Sequence, residues 1–308
     1  MTFDPIDAYR RMYLIRHVEE EIARRYPEGK MRTPTHLSIG QEAVAVGVMM
    51  ALKPEDVVYS THRCHAHYLA KGGSVDGLVA ELYGKATGCA GGLGGSMHLV
   101  SEDVGFMGTS AVVGSSVSVA VGHALAFQLD GAAGVAVAFM GDAGLETGQV
   151  WEAFNFAALK QLPILFVVED NDLSTATRKK DRQPQRRAVW SSLAGIHSGH
   201  RMTGWLEPMH IHTTAQELLR HLPAVLEVET TRYREHVGPG FDDWRKEIVA
   251  QDMLHDPVKK LAAQLDAMPL PEGRNKTERE IIEAVAKVHV AKAFERAEAA
   301  PWPEAVAV

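Results

Sequence analysis

GVAVAFMGDAGLETGQVWEAFNFAALKQLPILFVVEDNDLSTAT, residues 134–177, carries the pattern of one βαβ unit. Residues 135–140 form a short apolar run that stops at Gly141-Asp142, as a strand buried on both faces of a parallel sheet does. Over 147–160 the apolar residues Val150, Trp151, Phe154, Ala157 and Ala158 recur at three- and four-residue spacing. That spacing predicts a helix with one face against a sheet and Thr147 as its cap. Leu162-Pro163 ends the helix, because proline cannot continue it, and 164–168 is a second apolar run closed by Glu169-Asp170-Asn171-Asp172.

Parallel strands joined by a right-handed crossover put their carboxyl ends on one edge of the sheet, where ligands of open α/β sheets sit. Asp142 and Asn171 both fall there. A carboxylate and a carboxamide oxygen are hard ligands suited to a magnesium-sized ion that keeps positions for phosphate and water. The start of the helix near Thr147 adds free N–H groups and a positive end that favour the same phosphate.

The rest of the composition narrows the class. A chain of 308 residues, 46% hydrophobic and 23% charged, suits a soluble globular protein with one large domain and extensions. A net charge of −7 argues against nucleic acid as a partner. MTFDPIDAYR has no apolar core of a signal peptide, and the apolar 111–129 stretch is interrupted by Ser115, Ser116, Ser118 and His123, so no membrane span is expected. Cys64 and Cys89 are the only cysteines, which fits a reducing, cytoplasmic compartment.

Outside the central unit, residues 4–26 read as a helix stopped by Pro27-Glu28-Gly29, and Thr35-His36-Leu37-Ser38-Ile39-Gly40-Gln41-Glu42-Ala43 leads into a helix ending near Leu52. His62, His65 and His67 crowd into 59–73, at spacings that fit no common structural zinc pattern. Six glycines, Gly84, Gly88, Gly91, Gly92, Gly94 and Gly95, predict a flexible, tightly turned loop in which backbone can approach a ligand or another chain. No strand precedes them, so a dinucleotide fingerprint is a poor match. RKKDRQPQRR, residues 178–187, has six basic residues and one acid, and by default is a solvated loop. Residues 222–230 read as a buried strand, 277–299 as a charged helix, and the Ala/Pro-rich end as frayed. The expected division is a domain over 1–270 with an N-terminal helical extension, and a helical tail over 271–308.

Several of these blocks together resemble a known family. Gly141-Asp142, Glu152-Ala153, Asn155, Leu162-Pro163 and Glu169-x-Asn171 resemble the thiamine diphosphate and magnesium motif. HLSIGQEA, Gly94-Gly95-Ser96-Met97-His98, Ala111-Val112-Val113-Gly114 and Arg232-Tyr233-Arg234-Glu235-His236 narrow the likeness to the alpha subunit of the 2-oxo acid dehydrogenases. The resemblance implies an α/β thiamine diphosphate-binding fold, a mostly parallel sheet with helices on both faces. It implies magnesium on Asp142, Asn171 and the carbonyl of Leu173, and the cofactor on His62, Arg63, Ala111, Val113, Asp142, Ala143, Gly144, Asn171 and His236. His36, His65, His98 and His236 are the implied groups for proton transfer or substrate orientation. Ala143 stands where the motif has a glycine, Asp170 where it has an asparagine, and His62 where it has a tyrosine.

The same resemblance implies how the chain works. A beta subunit supplies the glutamate that activates the cofactor and completes the site in an α2β2 assembly. A 2-oxo acid loses CO2, and the acyl unit passes to a lipoyl carrier. Two other readings stay open at this stage: half of a split transketolase-like enzyme acting on a sugar or other carbonyl acceptor, and a partner-binding subunit without catalysis.

Overall fold

Asp4 starts the first helix, its carboxylate accepting from the Ile6 N–H at 2.9 Å, with Pro5 in the first turn where a missing N–H costs nothing. A computed structural model describes residues 2–183, 198–204, 207–267 and 277–304. In chain order the elements are α1 (Pro5–Arg25), α2 (Glu42–Met49), β1 (Val57–Ser60), α3 (His65–Lys71), α4 (Val75–Leu82), β2 (Phe106–Thr109) and α5 (Ser115–Asp130). Then come β3 (Ala136–Gly141), α6 (Gly148–Lys160), β4 (Ile164–Asp170), and the short antiparallel pair β5 (Leu173–Ser174) and β6 (Thr177–Arg178). β7 (Ser198–Met202), α7 (Pro208–Leu218), β8 (Ala224–Glu229), α8 (Lys246–Asp252), α9 (Pro257–Ala267) and α10 (Thr277–Ala299) follow.

Six strands form one sheet in the order β2-β1-β3-β4-β8-β7, and every pairing in it is parallel. The expected α/β architecture is therefore the observed one. Side chains alternate between two cores. Val137, Phe139, Leu165, Val167, Leu226 and Val228 face α1 to α4, α7, α9 and α10, while Ala136, Ala138, Met140, Ile164, Phe166 and Val168 face α5 and α6. Burial on both faces is why β3 and β4 read as unbroken apolar runs.

The second face is thinly covered. Among the described residues α5 and α6 are the α-helices that lie over it, and their outer sides leave Val119, Leu129, Trp151, Phe156 and Leu159 exposed. Among the described residues no helix is long and apolar enough to cross a membrane.

Three local expectations need correction. Thr147 is the N-cap residue of α6 as expected, but its hydroxyl donates to the Gly144 carbonyl at 2.8 Å instead of accepting from the helix. The end of the chain is anchored as far as it is described. Ala86 donates to the Pro301 carbonyl at 3.0 Å and the Lys85 ammonium lies 3.9 Å from the Trp302 ring centre. Residues 305–308 lie outside the described residues.

The glycine loop is not loose either. The buried Glu81 carboxylate accepts four backbone N–H groups, from Ala90 and Gly92 on one oxygen and from Gly94 and Gly95 on the other, at 2.7–2.9 Å. A side chain at Gly92, with φ of +79°, would meet the Lys85 carbonyl oxygen at 2.5 Å, so the glycines let the chain wrap this carboxylate.

Candidate active site at the carboxyl edge of the sheet

The register of β3 on β4 pairs Gly141 with Glu169, which brings Asp142 and Asn171 out together just past the strand ends. Two loops close over that edge. Tyr233 donates to the Ile39 carbonyl at 3.0 Å and Gly238 to the Thr35 carbonyl at 2.8 Å, so the segment around His36 is zipped to the segment around His236. Gly40, with φ of +101°, permits this approach, because a Cβ there would sit 2.2 Å from the Thr231 carbonyl oxygen. Buried Glu42 locks the turn, accepting from Gly40 N–H at 3.0 Å and from Arg16 at 2.6 and 3.0 Å.

Between them lies a cavity of about 240 Å³. Its walls bring together His36, His62, Arg63, Ala111, Val113, Asp142, Ala143, Gly144, Asn171, Leu173 and His236. Residues far apart in the chain thus meet at one place. Gln41, Met97, Glu169 and Arg232, which stand inside the quoted motifs but have no site role in the sequence reading, line it as well. Arg232 had a usable signal, since it opens the block that ends at His236. A larger cavity of about 520 Å³ adjoins this one across Gln41, Asn171 and Leu173, but much of its charge is already paired.

Arg63 is the most demanding group in the smaller cavity. Its guanidinium is 6% exposed and donates to the Leu37 carbonyl at 2.6 Å and the His236 carbonyl at 3.0 Å. Among the described residues no carboxylate lies within ion-pairing distance of it. Burial, with Arg232 nearby, pushes its pKa down to about 9. Arg232, by contrast, pairs with Asp242 at 2.9 Å.

The histidines cluster edge to face. Ring centres are 4.7 Å apart for His36 and His62, 5.2 Å for His36 and His236, and 5.6 Å for His62 and His236. Burial first, and then neighbouring cationic groups, push their pKa values down to about 2, 3 and 4 for His36, His62 and His236. All three are neutral at pH 7.

The structure does not bring His65 and His98 to this cavity. His65 is fully buried between α1 and the glycine loop, with Nδ1 on Glu19 and Nε2 on Ser96 Oγ, both at 2.9 Å. Adjacency to Arg63 in sequence misleads here, because His65 opens α3 and its ring turns toward α1. His98 is exposed and lies outside the lining.

The turn that follows β4 is ordered by its own hydrogen bond. Asn171 Oδ1 accepts the Leu173 N–H at 3.1 Å and keeps a second lone pair. Asp142 is 1% exposed, and burial lifts its carboxyl to about 6 against the pull of Arg182, which donates to Oδ2 at 2.5 Å. Asp170, at the departure from the motif, pairs with Lys179 at 2.5 Å. The basic run is therefore not simply a solvated loop. Lys179 is buried between Asp170 and Glu227, and Arg182 bridges Asp142 and Glu146. Its residues 184–187 lie outside the described residues.

Comparison with known proteins shows the family. The family profile described as dehydrogenase E1 component matches residues 10–306. The chain belongs to that family. The pyruvate dehydrogenase E1 component subunit alpha of Rhizobium meliloti is 36% identical to it over 269 residues, covering 85% of this chain and 77% of that protein. Its counterpart in Zymomonas mobilis is 34% identical over 307 residues, 97% and 85% of the two chains. The chloroplastic subunit alpha-3 of Arabidopsis thaliana is 33% identical over 314 residues, 97% and 72%. This E1 component is accordingly an alpha-type subunit of a thiamine diphosphate-dependent 2-oxo acid dehydrogenase.

Proposed function

We propose that the 240 Å³ cavity holds the diphosphate end of thiamine diphosphate and a magnesium ion, and that the chain decarboxylates a 2-oxo acid together with a beta subunit in an α2β2 assembly. The observation that carries this reading is Arg63, a buried guanidinium with no anion of its own, facing the Asp142 and Asn171 edge. A buried cation of that kind calls for an anionic ligand. The donor set fits the metal too: a carboxylate, a carboxamide oxygen with a lone pair to spare, and a peptide carbonyl at Leu173 are hard oxygen ligands. Arg182 yields its Asp142 contact when the ion enters.

When bound, the cofactor supplies the electron sink on which the carbon–carbon bond breaks. The chain's own residues do the rest. Arg63 and His62 hold the diphosphate, Ala143 and Gly144 let it approach the end of β3, and Ala111 and Val113 support the aminopyrimidine. His36 and His236, as neutral imidazoles, donate or accept a hydrogen bond at the substrate oxygen without carrying charge of their own. His65 acts at a distance, holding the Ser96 loop, and His98 makes no contact with the reacting atoms in this reading. We take α10 as a support for this domain, since it buries Val290, Ala293 and Phe294 in the same core as α1 and α4. Pyruvate, named for the relatives, is the first substrate to test, and a lipoyl carrier the acceptor.

Two experiments test the arrangement. Asn171→Ala should weaken magnesium-dependent cofactor binding at least about tenfold, as loss of one hard ligand from a small set does. Titration calorimetry on the assembled enzyme reads it, and unchanged affinity would discard the ligand assignment.

The partner surface is tested separately. The uncovered apolar face of α5 and α6 supports a subunit contact there, being larger than scattered surface residues require. Leu159, 73% exposed, should tolerate Asp in the isolated chain within about 0.5 kcal/mol. In the assembly the same Leu159→Asp change should abolish co-purification with the beta subunit. Intact co-purification would place the interface elsewhere.

A further inference from the structure

We propose, on the reading that His36 meets the substrate, that Glu19 of α1 is a positioning residue which holds two walls of the cavity, the His36 segment and the glycine loop, in fixed relation. Glu19 is fully buried and uses both of its oxygens. One accepts the Ser38 N–H, just past His36, and the other lies 2.9 Å from His65 Nδ1. His65 Nε2 in turn lies 2.9 Å from Ser96 Oγ, next to Met97 in the cavity wall.

One polarity satisfies every member of this chain of bonds. Ser96 O–H donates to His65 Nε2, His65 Nδ1–H donates to one oxygen of Glu19, and Ser38 N–H donates to the other. Glutamate suits the centre because a carboxylate has acceptors alone and can take both donors at once. Serine, histidine and acid in that order make the constellation of a nucleophilic triad. Ser96, His65 and Glu19 are all 0% exposed, however, so the chain transmits position and attacks nothing.

His36 needs such a hold. Its buried Nδ1 has no hydrogen-bond partner among the described residues, so the ring is placed by packing and by the backbone that carries it. On the cavity side that backbone is held at the Thr35 carbonyl by Gly238, at the Leu37 carbonyl by Arg63 and at the Ile39 carbonyl by Tyr233. Those donors stand on segments that face the ligand. The Ser38 bond comes instead from α1, whose Ile15, Val18 and Ile22 are packed in the main core. A reacting group is held best from a rigid element, and Glu19 supplies that mount for His36 and, through His65, for Ser96.

Glu19→Gln keeps the shape but replaces one acceptor by a donor. In the free full chain, hydrogen exchange at residues 35–39 and 94–98 should quicken at least about tenfold while β3 and β4 keep wild-type protection. In the assembled enzyme, 2-oxo acid turnover should fall about ten- to a hundredfold, the cost of displacing a reacting group by about an ångström. Cofactor affinity should stay within about threefold, since Arg63 and the oxygen ligands keep their partners. Ser96→Ala should loosen 94–98 and leave 35–39 protected, because Glu19 still holds Ser38. Should Glu19→Gln fail to fold, Glu19→Asp, which withdraws the carboxylate by one methylene, gives the same readings. Unchanged exchange at 35–39, or protection lost evenly across the sheet, would overturn the proposal. So would wild-type turnover in a variant that shows the loosening. A wild-type assembly that turns over no 2-oxo acid would sink the assigned function alone, and exchange in the free chain would still decide whether Glu19 couples the two walls.

Discussion

Arg63→Met is expected to give a chain that is more stable than the wild type and has lost most of its affinity for thiamine diphosphate. The wild-type guanidinium is buried with two carbonyl partners and no counter-charge. The guanidinium keeps its proton at neutral pH, so the fall of its pKa from 12.5 to about 9 stands as a folding penalty and not as neutralisation. Methionine fills a similar volume without the charge. It leaves the Leu37 and His236 carbonyls short of a donor, which returns part of the gain at about 1–2 kcal/mol each. The net stabilisation expected is on the order of 1–3 kcal/mol, in the range seen when buried ions give way to apolar residues.

Binding moves the opposite way. A buried charged group that meets a diphosphate makes charge-assisted, two-pronged bonds, and removing it costs about 2–5 kcal/mol, a loss of roughly thirtyfold to several thousandfold. Arg63→Lys separates charge from geometry: it should recover part of the affinity and none of the stability. Thermal unfolding of the free chain and cofactor titration of the assembly read the two effects independently. A destabilised methionine variant would mean that Arg63 is already compensated in the fold. Native affinity in that variant would remove it from the diphosphate.

How much of this could be read beforehand depended on where each signal lay. β3, α6 and β4 were legible because both strands are buried on two faces and the helix on one, so hydrophobicity alone marks them. β1 and β2 have four residues each, and β7 reads Ser-Gly-His-Arg-Met at the sheet edge, too short or too polar to stand out. Asp142 and Asn171 were placed correctly at one edge because topology fixes strand ends. His36, His62 and His236 also meet at that edge, whereas His65 does not, because its neighbours Glu19 and Ser96 come from distant segments that no local pattern records. Charge runs fail for a related reason. Lys179 and Arg182 turn inward since Asp170 and, from distant parts of the chain, Glu227, Asp142 and Glu146 await them there.

Glu81 is the clearest case of a function-bearing residue without a sequence signal, and Glu81→Ala is expected to be the most damaging single change to the fold. It sits in α4, VDGLVAEL, where either acid of the run, Asp76 or Glu81, would be taken for a surface position. Instead its two oxygens take four backbone N–H groups of the glycine loop. Alanine orphans all four and opens a void, and water can reach some of the donors but not the buried Gly95. Bonds to a charged acceptor contribute about 1.5–3 kcal/mol each, yet they are shared and not additive, so a loss of about 3–5 kcal/mol is the expected size. Glutamine, which keeps one accepting oxygen, should lose about half as much. The effect should reach the cavity, because the loop runs on to Ser96, which bonds His65, and to Met97 in the cavity wall. Cofactor affinity in Glu81→Gln should therefore fall even at temperatures where the variant remains folded. Denaturant unfolding and cofactor titration check the pair, and an alanine variant with wild-type stability would show that the glycines hold their turns without the carboxylate.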